Sequence, residues 1–163
     1  MGVKLPVRLS INGTVHAIEV EPRRTLADAI RKDCGLTGTH VGCEHGACGA
    51  CTVILDGEPV RACLMFAVQA EGCGIRTIEG LAPKSGFHPL QAAFMEHHGL
   101  QCGFCTPGFL MLAAAILERD PDTPDQALIE ALSSNLCRCT GYQGIVDAVL
   151  AAARSMRRPN AER

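Results

Sequence analysis

The sequence predicts an α+β fold built from two successive domains. Its first half alternates apolar and polar residues around an Asn-Gly turn signal, and its second half carries four segments with helix start and stop signals. A stretch containing proline, glycine and lysine separates the halves. We therefore predict a mixed domain at 1–80, a linker at 81–88, a helical domain at 89–157 and a disordered tail at 158–163.

The first domain should be a small sheet packed on a helix. The alternating run at 7–20 turns at Asn12-Gly13, which is a strong hairpin signal. A short helix follows, with Thr25 as its cap and Gly35 as its end. Further strand-like runs, with a turn at Asp56-Gly57, complete the predicted sheet.

Four helices should form the second domain. Pro107 and Pro124 stand at first-turn positions, where proline is tolerated, and Thr123 with Gln126 has the spacing of a capping box. The predicted helices span 89–98, 107–119, 124–135 and 141–157.

The helical half also repeats itself weakly. Residues 104–116 and 138–153 both read Cys-Thr followed by an apolar helix, with a threonine placed to cap each helix. We interpret this as two similar helices whose N-termini meet across a pseudo-twofold axis. Such a meeting suits an anion, because helix N-termini carry partial positive charge and free amide donors.

Composition narrows the class of protein. The 163 residues include 15 basic and 17 acidic ones, with a net charge of −2, which argues against a nucleic-acid or membrane-surface protein. No apolar run is long enough to span a bilayer, and the N-terminus lacks the apolar core of a signal peptide. We therefore expect a cytoplasmic protein, in which ten cysteines favour metal binding over disulfides.

One cysteine set lies in the first domain. Cys43, Cys48 and Cys51 have the C-x4-C-x2-C spacing of plant-type [2Fe–2S] proteins, and Cys63 follows downstream. The glycines between them let backbone amides approach a small inorganic core closely. A structural zinc site and simple buried thiols are the alternatives. Cys73 is the only rival to Cys63 as fourth ligand.

A second set lies in the helical domain. Cys102 and Cys105 form a C-x2-C pair, and Cys137 and Cys139 form a C-x-C pair. Taken alone, they could be a zinc site or a thioredoxin-like dithiol. The dithiol is disfavoured because no βαβ strand precedes the pair. Zinc is disfavoured because the first half already indicates iron–sulfur chemistry.

The remaining candidates carry no predicted chemistry. Cys34 and Cys73 match neither set, and we interpret both as packing or surface thiols. His45 lies between two cysteines, but no second histidine has the spacing that a Rieske centre requires. A Ser-His-Asp set, a phosphate loop and a dinucleotide fingerprint are all missing from the sequence.

Three segments carry a resemblance to a known family. They read GCEHGACGACTVILDGEPVRACLMFA, GLQCGFCTPGFLM and NLCRCTGYQGI. Together they resemble the small iron–sulfur subunit of the molybdenum hydroxylases, the xanthine oxidase family, over roughly residues 5–155. The chain is similar to such subunits of carbon monoxide dehydrogenase, quinoline 2-oxidoreductase, isoquinoline and nicotinate dehydrogenases and aldehyde oxidoreductases, and nearest to the enzymes that oxidise N-heterocycles.

The resemblance implies a β-grasp plant-type ferredoxin domain followed by a four-helix bundle domain. It implies one [2Fe–2S] cluster on each, with eight cysteines as ligands: Cys43, Cys48, Cys51 and Cys63, then Cys102, Cys105, Cys137 and Cys139. It also implies that Gln101 hydrogen-bonds a molybdopterin, in its cytosine dinucleotide form, on a separate large subunit, with Cys139 beside it. An FAD on a medium subunit would face the first cluster.

The function expected from the resemblance is electron transfer, from molybdenum through the second cluster and the first cluster to FAD. The chain itself would hold no catalytic residue and no substrate site, in a dimer of heterotrimers. The complex would oxidise an N-heteroaromatic compound, carbon monoxide or an aldehyde. A zinc-stabilised interaction module is the rival class, and an independent soluble ferredoxin would need neither the helical domain nor Gln101.

Overall fold

The computed structural model describes residues 2–157, so the predicted tail at 158–163 lies outside the described residues. Within this part of the chain, strands and short turns come first and four longer helices follow. None of the helices in this range is both long enough and apolar enough to cross a membrane. The predicted combination of a mixed sheet with a following helical region is confirmed.

Five strands form one mixed sheet with the order β2-β1-β5-β3-β4. Strand β1 pairs antiparallel with β2 and parallel with β5, whereas β3 pairs antiparallel with both β4 and β5. The strands span Leu5–Ile11, Thr14–Val20, Thr52–Leu55, Glu58–Arg61 and Gly74–Arg76.

The predicted hairpin turn is confirmed. Asn12 and Gly13 both adopt positive φ, 52° and 79°, which matches the twist of a two-residue hairpin. The Asn12 amide also fixes the end of the sheet: its Nδ2 donates to Thr77 Oγ1, and its Oδ1 accepts from the Thr77 backbone N–H, both at 2.9 Å. The turn residue therefore has a structural role beyond the turn.

The predicted helix after the hairpin differs in form. Helix α1, Leu26–Asp28, begins where Thr25 Oγ1 accepts from the Asp28 backbone N–H at 3.1 Å, as predicted, but it continues as a π-helix over Ala29–Asp33. From this wider turn, the Arg31 guanidinium donates to the carbonyls of Thr37 and Thr39 at 2.5 and 2.8 Å. The helix thus holds the segment that leads into the first cysteine loop.

Four helices follow, as predicted, with shifted ends. They are α2 Pro89–Glu96, α3 Thr106–Arg119, α4 Asp125–Leu132 and α5 Gln143–Met156. The predicted capping box of Thr123 and Gln126 is wrong. Pro124 is the N-cap of α4, and the Thr123 hydroxyl donates to the Asp120 carbonyl at 2.7 Å. The packing of these helices as a four-helix bundle stays a prediction.

Two hydrophobic cores stabilise the fold. The first lies between the sheet and α1, and the second lies among α2–α5 and includes the fully buried Phe94 and Phe109. Ile54 of β3 belongs to the helical core, so the two cores are in contact through the sheet. This contact brings the N-terminus of α3 against the first cysteine loop.

Candidate metal centres

The first cysteine set is centred on the loop that runs from the π-helix to β3. Cys51 and Cys63 are buried and their thiols hydrogen-bond to each other, whereas Cys43 and Cys48 are half-buried. The Cys48 backbone N–H donates to Cys43 Sγ at 3.3 Å. The four predicted ligands therefore fall into two neighbouring pairs. Cys63, rather than Cys73, is the downstream cysteine that the fold brings to this loop.

The loop prepares one thiol of this set for ionisation and leaves another protonated. Backbone N–H groups, first that of His45 and then that of Cys48, lower the pKa of Cys43 to about 6. Burial raises the pKa of Cys51 to about 11. Iron binds thiolates, so as predicted ligands Cys43 would be ionised at neutral pH, whereas Cys51 would have to lose its proton.

The second cysteine set also forms two pairs. Cys102 and Cys139 are exposed, with their sulfurs 3.5 Å apart, and the half-buried Cys105 and Cys137 share a side-chain hydrogen bond. The backbone N–H of Cys137 donates to the Tyr142 hydroxyl at 3.0 Å. Tyr142 adopts a positive φ of 70°, which costs energy for a residue other than glycine, and this hydrogen bond helps to hold the turn from Cys137 to α5.

The pKa values of the two half-buried thiols in the second set are shifted in opposite directions. Burial raises the pKa of Cys105 to about 12. Burial also opposes ionisation of Cys137, but hydrogen bonds from the hydroxyl and backbone N–H of Thr140, 3.1 and 3.5 Å from Cys137 Sγ, outweigh it and lower its pKa. Thr140, which was predicted to cap its helix, therefore donates its hydroxyl to the Cys137 sulfur.

The repeat in the helical half is only partly matched by the structure. Cys105 is the N-cap of α3 without a side-chain cap, and Thr106 lies inside the helix, so the predicted capping role of Thr106 is wrong. Thr140 Oγ1 instead accepts from the backbone N–H of Tyr142, the N-cap of α5, at 3.1 Å. The two helix starts are similar in sequence but differ in their hydrogen bonds.

The arrangement of thiols fits a two-iron cofactor. Two cysteine pairs at each site suit a [2Fe–2S] cluster, in which each iron takes two thiolates. Buried polar atoms without partners add to this fit, because most of them adjoin the cysteine segments: Thr39 Oγ1, Thr106 Oγ1, and both amide atoms of Asn135.

The two cysteines outside the predicted sets and Gln101 have different surroundings. Cys34 packs against the sheet core, where burial raises its pKa, and the Cys73 thiol hydrogen-bonds Asp56, which raises its pKa. Gln101 is exposed next to Cys102. His45 Nδ1 is 2.6 Å from the Cys43 carbonyl, to which it donates, so this histidine supports the loop backbone.

The fold joins the two cysteine sites directly. The Leu136 backbone N–H donates to the Cys48 carbonyl at 2.9 Å. His40 stacks on Phe104, with ring centroids 4.9 Å apart, and its Nδ1–H donates to the Phe104 carbonyl at 2.7 Å. Arg61 bridges the Thr52 hydroxyl and the Ser134 carbonyl. We call these three contacts the loop junction.

Sequence reasoning missed the loop junction. Most of its residues lie within the three motif segments, but the spacing along the sequence does not show which of them meet across the two halves of the chain. Several apolar side chains in the cysteine-bearing segments and next to them are also exposed: Leu64, Phe66, Leu100, Phe104 and Leu136.

A larger concavity lies away from the cysteines. A groove of about 690 Å³ separates the sheet from α3, and charged side chains line it. Four of its charged side chains are paired, Arg119 with Glu58 and Arg76 with Glu118, and Asp56 accepts from the Gly74 backbone N–H. No cysteine is among the described residues that line it.

Two family matches cover most of the chain. Residues 9–74 match the family described as 2Fe-2S iron-sulfur cluster binding domain, and residues 77–150 match the family described as [2Fe-2S] binding domain. Each match contains one of the two cysteine sets.

Curated relatives and solved structures agree with these matches. The chain is 53% identical to the nicotine 6-hydroxylase small subunit of Paenarthrobacter nicotinovorans, covering 91% of this chain and 90% of that subunit. It is 54% identical to the caffeine dehydrogenase subunit gamma of Pseudomonas sp. strain CBB1, covering 88% and 87%. A chain of quinoline 2-oxidoreductase from Pseudomonas putida 86 superimposes with a TM-score of 0.89 at 49% identity, covering 94% of this chain and 96% of that one.

Proposed function

This chain belongs to the small iron–sulfur subunits of the xanthine oxidase family, and from that premise we propose that it carries electrons from a molybdopterin centre on a large subunit to FAD on a medium subunit. Electron transfer within a molybdenum-containing oxidoreductase is the role of the family. The named donor and acceptor, and the order of the two clusters between them, are our proposal.

The pairing of cysteines carries the ligand assignment. We assign the first cluster to Cys43, Cys48, Cys51 and Cys63, and the second to Cys102, Cys105, Cys137 and Cys139. Each bound cluster supplies a one-electron redox couple. We also propose that the ligand sets define two domains, 1–80 and 89–157, joined by the linker at 81–88.

Differences in exposure support the order of the clusters. Cys102 and Cys139 are exposed, and Gln101 stands beside them without a hydrogen-bond partner among the described residues. An amide both donates and accepts, which suits the edge of a pterin. We therefore propose that the second cluster faces the molybdopterin, with Gln101 and Cys139 at the contact, and that the first cluster faces the FAD.

The relatives favour one class of substrate for the complex. Nicotine, caffeine and quinoline, named in three of the similar proteins, are all nitrogen heterocycles. The Escherichia coli aldehyde oxidoreductase subunit PaoA is more distant, at 40% identity. We therefore propose a cytoplasmic complex, a dimer of heterotrimers with molybdopterin cytosine dinucleotide, that oxidises an N-heteroaromatic compound. Oxidation of an aldehyde or of carbon monoxide is the second candidate.

Metal analysis and copurification test the proposal together. The chain, isolated with its native partners, should contain about four irons and four labile sulfides, show two reduced EPR signals, and be red-brown. Substrate added to the complex should reduce both clusters before the flavin. A colourless chain with about two zinc ions and no iron would instead establish the zinc-stabilised module.

A further inference from the structure

Asn135 is a buried amide without a hydrogen-bond partner. The residue is 1% exposed, and neither its Nδ2 nor its Oδ1 has a partner among residues 2–157. Its backbone N–H donates to the Leu132 carbonyl and ends α4, so the backbone is satisfied while the side chain is not. A buried amide that lost its water must find another partner, because unpaired polar groups destabilise a fold.

The amide lies against the first cysteine loop. A Cβ atom built on Gly49 would lie 3.0 Å from Asn135 Nδ2 and closer still to its Cγ and Oδ1. Gly49 stands between the assigned ligands Cys48 and Cys51 and has a φ of 73°. The absence of a side chain at Gly49 is therefore what admits the amide to this loop.

The other faces of this loop are closed. A Cβ atom built on Gly108 of α3 would strike the Gly49 carbonyl and lie 3.0 Å from the Ala50 Cα. The Gly49 carbonyl accepts from the Thr52 hydroxyl and backbone N–H at 2.6 and 3.2 Å. The Cys48 carbonyl accepts from Leu136, as described above. The carbonyls of Cys48 and Gly49 thus already accept hydrogen bonds, and the cysteine sulfurs of the loop are further acceptors near the amide.

We infer that the Asn135 side chain is a hydrogen-bond donor to the first cluster, with Nδ2–H directed at a cysteine sulfur or a bridging sulfide. The inference rests on the proposed ligand set. Asn135 belongs to the helical half of the chain, but its amide would tune the reduction potential of the cluster held by the other half. Hydrogen bonds to cluster sulfur stabilise the reduced, more negative state and so raise the reduction potential.

Redox titration tests the inference on the full chain carrying both clusters. Asn135→Leu keeps a similar volume but removes both donors, so the midpoint potential of the first cluster should become more negative while that of the second stays unchanged. Asn12→Leu is the matched control, because Asn12 is bonded to Thr77 at the far side of the sheet; it should reduce stability without moving either potential. An unchanged first potential at full iron content, or a shift of the second potential instead, overturns the inference.

A measurement on the unmutated chain covers the case in which Asn135→Leu loses the first cluster. Reduced protein labelled with ¹⁵N in its asparagine side chains should show a ¹⁵N coupling to the first cluster by pulsed EPR, and this coupling should persist in Asn12→Leu. No coupling overturns the inference. A chain without iron would refute the proposed function as well, whereas a chain with iron but without the coupling or shift refutes only the role of Asn135.

Discussion

The backbone N–H of Leu136 donates a 2.9 Å hydrogen bond to the carbonyl of Cys48, and this bond joins the segments that carry the two cysteine sets. Leu136 directly precedes Cys137, so the bond joins a proposed ligand residue of one site to the neighbour of a proposed ligand residue of the other. Main-chain atoms form it, and side-chain substitutions leave its donor and acceptor in place. The spacing of the two sites is therefore a property of the backbone fold.

Gly108→Ala should damage the first cluster from the helical half of the chain. The new methyl group would collide with the Gly49 carbonyl, which lies between two assigned ligands. Overpacking of this kind costs about 1–3 kcal/mol, and here the strain falls on the cluster loop. We expect lower unfolding free energy in urea and loss of the first EPR signal in part of the molecules.

Gly144→Ala provides the control for Gly108→Ala. Its methyl group would approach the carbonyls of His97 and His98, at 2.8 Å, without touching a cysteine loop. It should lower stability and keep both clusters. If both variants lose the first cluster equally, general destabilisation rather than the contact with Gly49 is responsible.

Arg61→Met should weaken the loop junction. The guanidinium bridges the Thr52 hydroxyl and the Ser134 carbonyl, so its removal leaves both halves intact but less tightly joined. We expect a loss of about 1 kcal/mol in unfolding free energy, since hydrogen bonds from charged groups contribute about 1.5–3 kcal/mol and this one is partly exposed. Arg119→Met removes an exposed ion pair with Glu58 and should change stability much less.

Cys63→Ser should remove the first cluster and keep the second. Cys63 is buried against Cys51, and serine cannot replace a thiolate on iron without loss of affinity. Cys34→Ser and Cys73→Ser should keep both clusters. Iron content and the two EPR signals decide the matter: loss of a cluster in Cys73→Ser with retention in Cys63→Ser would falsify the ligand assignment.

The iron-free chain should be alkylated first at Cys43. A pKa of about 6 means that the Cys43 thiolate persists to lower pH than an ordinary cysteine, whose pKa is about 8.5. The rate of reaction with iodoacetamide at Cys43 should therefore rise through pH 6 and level off near neutrality. Cys105, with a pKa raised to about 12, should stay unmodified at neutral pH. Peptide mass spectrometry across a pH series measures both sites.

Gln101→Leu should slow reduction of the clusters by substrate in the assembled complex. The side chain is exposed and does not support the fold, so both clusters and the stability of the chain should be unchanged. The slower reduction is expected because the proposed hydrogen bond to the pterin would be lost. Stopped-flow absorbance measures the rate, and wild-type kinetics in a fully assembled variant would contradict the proposed contact.

Local signals in the sequence predicted the elements well, and long-range contacts explain the differences. Asn12-Gly13 encodes its turn directly, because few residues tolerate positive φ. The π-helix at Ala29–Asp33 has no such local code. It is accompanied by hydrogen bonds from Arg31 to the carbonyls of Thr37 and Thr39, which the spacing of the sequence does not indicate.

Some features of the candidate site could likewise be predicted from the sequence, and others could not. The spacing of Cys43, Cys48 and Cys51 is local, so the loop could be identified from sequence alone. The contacts of Arg61 with Ser134 and of Asn135 with Gly49 could not, because each joins residues from different halves of the chain. The failed cap at Thr123 has a similar cause: Pro124 takes the N-cap position, and the hydroxyl of Thr123 turns to Asp120 instead.

The 3.5 Å separation of the exposed Cys102 and Cys139 sulfurs has a consequence for how the chain is handled and matured. A disulfide needs the sulfurs to approach to about 2.05 Å, a short movement for two side chains at a surface. Air should therefore close this pair in chains that have not yet received iron, while the buried Cys51 and Cys63 are shielded from oxidants. Loading of the second site then needs a thiol reductant as well as iron and sulfide, and the order in which the two sites fill depends on the redox state of the cell.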